Sequence, residues 1–243
     1  MTHDRNYGSQ KLFYECFYDS VIFGEGIGAS AVRRTHATME KGWEGGAHFK
    51  KVLEVGSGKG EHLEFVKHGF DEYVMLDLRK TALNPKWNSD LRIKTVEGNA
   101  ESLPFRTGEF DRVISTCLLH HVENPELVFS EVDRVLSQNG TATIFLSCDP
   151  GLAVRILRKL TVARSAKKKG FDGYNLMISR DHRNHFGSLL EMAKFVFRKR
   201  NFNVKFYPFG INSWNLNGYA IITVKKRTDE LHPLNDLAKS EPD

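Results

Sequence analysis

The sequence predicts a doubly wound α/β fold on a mainly parallel sheet. Three observations lead there. The runs "KKVLEV", "YVMLDL", "RIKTVEG", "DRVISTCLL" and "TATIFLSC" are short and nearly all apolar, as suits strands buried on both faces. Helical patterns separate several of them, the rhythm of strands joined by crossovers. A glycine-rich turn follows the first run directly, and in such folds ligands bind at the carboxyl ends of the strands.

Taken in order, residues 1–47 read as an N-terminal helical cap. Residues 10–40 have helical periodicity, with Leu12, Phe13, Phe17 and Val21 near one face. The aromatics Phe13, Tyr14, Phe17, Tyr18 and Phe23 are either plain core or the roof of a substrate pocket. The main domain is expected over 48–226. Ahead of its fifth strand, Asn124 reads as a helix N-cap, Pro125 as the first helical residue and Gly140 as the position after the helix end. After Cys148 the rhythm changes, and residues 151–187 read as a basic insertion after the fifth strand. It comprises the helix "GLAVRILRKLTVAR", a "KKKG" break and the polar stretch "ISRDHRNHFGS". A helix around 188–200 and the runs "FNVKFYPF" and "GYAIITVKK" bring the strand count to seven. Residues 227–243 are polar, with two prolines, and are expected to be a mobile tail.

Charge is unevenly spread. Residues 151–205 hold fourteen Lys and Arg against Asp172, Asp181 and Glu191, a local charge of +11 in a chain of +5. A basic segment on an otherwise acidic body suits an anionic partner, or is simply a solvated surface. The first ten residues lack an apolar core and no run reaches the roughly 18 residues of a membrane span. Cys16, Cys117 and Cys148 are odd in number and widely spaced, unlike a disulfide framework or zinc site. A cytoplasmic setting is expected.

The stretch "VLEVGSGKGEH" carries most of the functional information. Gly56, Gly58 and Gly60 alternate where the strand turns toward the next element, so a ligand can lie against bare amides. A dinucleotide loop needs a third glycine where Glu61 stands, because its diphosphate needs room and positive potential. No Gly-Lys-Ser/Thr follows, which excludes a Walker loop. The pattern favours a ligand with a nucleoside and no phosphate.

With these residues the chain resembles the class I S-adenosylmethionine-dependent methyltransferases, especially the group that includes the ubiquinone and menaquinone methyltransferases. The resemblance covers roughly residues 48–149 and implies a Rossmann-like methyltransferase fold with S-adenosyl-L-methionine as cofactor. "LEVGSGKG" looks like the first motif, with Glu54 orienting the methionine end and Gly56, Ser57, Gly58 and Gly60 lining it. "YVMLDL" ends in Asp77 and Leu78. Asp77 comes 21 residues after Gly56, a spacing at which an acid takes both ribose hydroxyls. "VEGNAESLPF" is similar to the third station and puts Asn99 and Ala100 near the adenine, with Asn99 where the family usually has aspartate. "FDRVISTCLLHHV" resembles the fourth, with Ser115 under the methionine moiety and His121 at the pocket mouth.

Methyl transfer to a hydroxyl needs a base, and histidine is the natural one near neutral pH. The candidates are His120 and His121 after the fourth strand, and His182 and His185 in "SRDHRNHFGS". For each a structural role is the alternative. His182 and His185 fall at i and i+3, but two histidines beside Asp181 are a weak metal signal, and no metal is expected. Arg180 and Arg183 fit a lid that clamps phosphate or carboxylate groups.

In "GLAVRILRKLTVAR" the cations Arg155, Arg158 and Lys159 oppose an apolar arc. Such a helix either packs on the domain with its charges in water or lies, through 152–164, on an anionic membrane surface. The expected function is methyl transfer to a small or lipid-linked anionic acceptor, such as a sugar hydroxyl in polysaccharide-precursor biosynthesis. An RNA methyltransferase and a non-catalytic cofactor-binding scaffold are the alternatives. Nucleic acid is disfavoured, since no N-P-P-Y strand end and no Pro-Cys arrangement at Cys117 is present.

Overall fold

A computed structural model describes residues 27–78, 85–87, 89–171 and 173–225. Each of the seven apolar runs is a strand: β1 (His48–Val55), β2 (Gly69–Asp77), β3 (Ile93–Glu97), β4 (Phe110–Ser115), β5 (Leu136–Ser147), β6 (Asn201–Tyr207) and β7 (Tyr219–Lys225). They form one sheet in the order β3-β2-β1-β4-β5-β7-β6. The first five pair in parallel, and β7 runs antiparallel between β5 and β6. β1 lies between β2 and β4, so the strand order reverses there. That reversal opens a crevice above the carboxyl ends of β1 and β4.

The helices are α1 (Ile27–Met39), α2 (Pro125–Val135), α3 (Leu152–Leu160), α4 (Val162–Lys168), α5 (Tyr174–Asp181) and α6 (Phe186–Val196). Alternation along the strands sends Leu53, Val55, Val113 and Ile144 to one face, where they pack with Phe129 and Val132 of α2 and Phe186 and Leu189 of α6. Val52, Tyr73, Met75 and Ile114 line the other face with Met39 and Leu63. The expected cap is described only from residue 27, so its aromatics from Phe13 to Phe23 lie outside the described residues, as does the tail from 227.

Asn124 caps α2 as expected, its side chain accepting the Leu127 N–H at 3.3 Å with Pro125 at the first helical position. The helix does not run to Gly140. It stops at Val135, because Leu136 is extended, buried and already paired with Phe110. Another helical turn would have carried the polar Ser137, Gln138 and Asn139 and left Leu136 outside the sheet core. The first crossover contains only a 3₁₀ turn, His62–Phe65. Residues 182–185, expected to place His182 and His185 on one helical face, are non-helical. His182 follows the end of α5 and His185 is extended ahead of α6.

One buried polar network has no counterpart in the sequence reading. Glu40, just beyond α1, receives Arg112 of β4 and contacts His62 Nε2 at 3.0 Å, and all three side chains are fully buried. His36 Nδ1 lies 2.9 Å from His62 Nδ1, and the Arg112 guanidinium sits 4.6 Å from the Trp43 ring centroid. His62 follows the glycine turn by two residues, so this network anchors the end of that turn.

Candidate active site

The glycine loop is pinned to the end of β2. Gly56 and Ser57 donate their amides to Leu76 O at 2.8 and 3.1 Å, and Gly60 donates to Ser57 O at 2.9 Å. Gly56, Gly58 and Gly60 have φ of 75°, 55° and 85°, values an L side chain rarely adopts. A Cβ at Gly56 would also stand 3.0 Å from Leu118.

Asp77 sits directly on this loop. Its Oδ2 accepts the Gly58 N–H at 3.0 Å, and a carboxylate retains further lone pairs for ligand hydroxyls. Beside it Leu78 is 65% exposed, an apolar surface ready for a flat base. Gly98 donates to Asp77 O at 2.9 Å and brings the third station alongside. There Ala100 is buried, and the exposed Asn99 uses Oδ1 to accept the Glu101 N–H at 2.9 Å. The expected Asn99 acceptor is therefore shared with its own turn.

Glu54 departs from expectation. Its carboxylate is buried under the loop and accepts the Tyr73 hydroxyl at 2.9 Å, so it shapes the floor rather than the ligand surface. Burial pushes its carboxyl up to about 7, against the opposing pull of His62 and Tyr73. Ser115, paired in register with Val55, is buried with a hydroxyl that has no partner among the described residues. Sequence reasoning used Glu61 only to exclude dinucleotides. In the fold its carboxylate turns back on the loop, accepting the Lys59 N–H at 3.0 Å. It adds negative charge that a cationic amino acid moiety would meet. A turn of glycines with no side chain in a ligand's way, a carboxylate at its rim and an apolar shelf together fit a nucleoside-bearing sulfonium cofactor, although the loop's own amides are engaged within the protein.

The candidate histidines begin one tight turn away. Leu118, which packs on Gly56, accepts the His121 N–H through its carbonyl at 2.9 Å. The link after α5 is stapled onto this turn: Arg183 N–H reaches His120 O at 2.9 Å, and Asn184 Nδ2 donates to Leu119 O and Val122 O at 2.9 and 2.8 Å. Two His–Asp pairs meet as a result. His182 Nδ1 is hydrogen-bonded to Asp149 Oδ2 at 2.8 Å, whereas His121 Nδ1 lies 3.0 Å from Asp181 Oδ2 at ion-pair distance but outside hydrogen-bond geometry, and the two rings are 4.8 Å apart. Arg158 donates to the same Asp149 oxygen at 2.7 Å. Burial works to raise the Asp149 carboxyl, but hydrogen bonds from His182 and Arg158 outweigh it and hold the group well below the usual range. Burial lowers His182, opposed by Asp149.

His120 cannot serve as the base it was expected to be. Its Nδ1 faces Asn184 O at 2.8 Å and its Nε2 accepts the Ser147 N–H at 3.0 Å, so both nitrogens are used by the main chain. Burial pushes it to about 3. His185 is exposed ahead of α6 and takes no part in the His–Asp pairs. Arg180 and Arg183 are likewise exposed. The sequence reading missed Asp149, Arg158 and Asn184. Asp149 did carry a signal, as the acid just beyond the fifth strand.

These groups fix an acid response. Burial drives His36 to about 3, His68 to about 4 and His120 to about 3, against 6.5 for an ordinary histidine. Between about pH 6.5 and 4 the unfolded chain therefore binds more protons at these three sites, and stability falls as pH falls. Glu54, raised to about 7 from 4.5, acts in the opposite direction over a similar range. Three sites outweigh one, and urea unfolding at pH 5 is expected to give a lower midpoint than at pH 7.

Residues 53–144 match a family described as a methyltransferase domain. The chain is 31% identical to the sarcosine/dimethylglycine N-methyltransferase of Aphanothece halophytica, over 45% of this chain and 40% of that protein. It is 34% identical to the chloroplastic 2-methyl-6-phytyl-1,4-hydroquinone methyltransferase 1 of Oryza sativa subsp. japonica, over 40% of this chain and 31% of that protein. The matches thus span well under half the length of either relative. A Methanococcus maripaludis structure described as an S-adenosylmethionine-dependent methyltransferase superposes with a TM-score of 0.60, covering 93% of this chain and 95% of that one at 16% identity.

Proposed function

We propose that this chain, whose residues 53–144 match a methyltransferase domain, is a class I S-adenosylmethionine-dependent methyltransferase that methylates a hydroxyl of a small or lipid-linked anionic acceptor. The observation that carries the reading is the pair of His–Asp couples one turn beyond Leu118, the residue that packs on Gly56 of the glycine loop. When bound, S-adenosylmethionine would supply an electrophilic methyl on a sulfonium, whose thioether is the leaving group for in-line attack by the acceptor oxygen. The chain's own work is to hold, align and deprotonate.

Asp77 holds the ribose, and the glycine turn, free of side chains, gives the methionine end room against the main chain. Asp181 beside Nδ1 of His121 leaves Nε2 to take the acceptor proton, and its charge stabilises the imidazolium that forms. His182 on Asp149 is the second base position. Cys117, solvent-exposed but hemmed in by protein, has its thiol pushed up to about 11 by desolvation and then by Glu61. A protonated thiol does not favour nucleophilic chemistry on a nucleic-acid base. The basic stretch after β5 favours an anion, and a sugar in a glycan precursor suits both charge and histidines.

Labelled methyl donor offered with nucleotide sugars, lipid-linked glycans and small acids tests the acceptor class. With the accepted substrate, His121→Ala is expected to lower kcat by at least about a hundredfold while cofactor affinity stays unchanged. Full transfer by both His121→Ala and His182→Ala would remove the general-base assignment, and transfer to none of the glycans would remove the sugar.

A further inference from the structure

We propose that the outer face of α3 and the neighbouring loop 208–218 form a docking surface for an anionic lipid bilayer. A surface helix ordinarily turns its apolar side to the core and its charges to water. α3 instead leaves its apolar side in solvent and turns only one of its cations, Arg158, inward. Leu152, Ile156, Leu157 and Leu160 are 55%, 52%, 45% and 52% exposed, and at 100° per residue they lie within about 140° of arc. On the opposite side Val154 packs against the core and Arg158 reaches inward to Asp149. No residue of α3 is buried.

The apolar surface continues beyond the helix. Phe209, Ile211, Trp214 and Leu216 are exposed on a loop in which residues 206–218 carry no charged side chain. The two parts are joined: Ala153 N–H donates to Asn215 O at 3.0 Å, Leu152 N–H to Asn215 Oδ1 at 3.4 Å, and a Cβ on Gly151 would meet Trp214 O at 2.6 Å.

Charge selects the occupant. Residues 151–171 hold Arg155, Arg158, Lys159, Arg164, Lys167, Lys168 and Lys169 and no acid. Of these all but Arg158 are exposed. Apolar side chains at the acyl boundary, tryptophan at the interface and cations at the headgroups are the pattern of a helix lying on an anionic membrane. α3 has nine residues, and no helix among the described residues is long and apolar enough to cross a bilayer. The contact is peripheral. Through Arg158, Asp149 and His182 it reaches the acceptor side directly, which would bring a lipid-borne acceptor to the histidines. That last step rests on the proposed function; the docking surface does not.

The full chain is tested by co-sedimentation with vesicles of phosphatidylcholine alone and of phosphatidylcholine with phosphatidylglycerol. Binding is expected to the second only, weakening with salt. Ile156→Glu with Leu160→Glu should lower partitioning at least about tenfold, and Lys159→Ala roughly fivefold. Both variants should keep the parent's melting temperature and calorimetric cofactor affinity, because the altered side chains are exposed. Three results overturn the proposal: no binding to anionic vesicles, undiminished binding by the double variant, or a parent dimer that the double variant converts to monomer. Failure of methyl transfer with normal vesicle binding would instead count against the acceptor assignment alone.

Discussion

An Asp77→Ala variant is expected to bind S-adenosylmethionine at least about a hundredfold more weakly than the parent in calorimetric titration. Two contributions add. The carboxylate is positioned to accept from both ribose hydroxyls, and hydrogen bonds to a charged group contribute about 1.5–3 kcal/mol each. The same carboxylate fixes the glycine loop through the Gly58 N–H at 3.0 Å, so its loss also leaves the turn less ordered. Asp77→Asn separates the two. Its amide oxygen can still accept the Gly58 N–H, but it offers the ribose one uncharged acceptor where two charged ones stood. A loss of roughly tenfold is expected there, with the ligand-free melting temperature unchanged. Parent-like affinity in Asp77→Ala would mean the ribose lies elsewhere, and the identification of the cofactor crevice would fall with it.

How far such a site could be read from sequence depended on whether its signal was local. The strands were legible because a strand buried on both faces must be apolar almost throughout, whatever its neighbours. The glycine loop was legible because positive φ at Gly56, Gly58 and Gly60 restricts residue type directly. His121 and His182 were named from residue chemistry alone. Their pairing depends on Asn184 stapling one segment to the other across more than sixty positions, and nothing local encodes it. The orientation of α3 was invisible for a related reason. Periodicity gives the two faces of a helix but not which one the fold turns inward, and Arg158 could choose the interior only because Asp149 waited there. Glu54 was read as a ligand contact because family motif and buried floor have the same sequence signature, an acid at the end of an apolar strand.

The largest effect on stability is expected from Glu40→Ala. Arg112 is fully buried, stacks on Trp43 and Phe49, and makes its ion pair with Glu40. Its Nε and Nη1 have no hydrogen-bond partner among the described residues, and neither has Glu40 Oε2. The arrangement is a charge pair whose desolvation is incompletely offset by hydrogen bonds. Burial by itself would raise the Glu40 carboxyl, yet the His62 hydrogen bond and Arg112 hold it below its ordinary value, so the pair is ionised. Removing one member strands the other in the core, which typically costs about 3–5 kcal/mol. Urea unfolding should show that loss, and calorimetry should show weaker cofactor binding as well, since His62 loses the partner that anchors the end of the glycine loop. The paired replacement Glu40→Leu with Arg112→Met is expected to recover most of the stability, because an apolar pair needs no compensation. It should not recover the cofactor affinity, because His62 still lacks its acceptor. If Glu40→Ala unfolded within about 0.5 kcal/mol of the parent, the network would be incidental to packing rather than the anchor of the glycine loop's end.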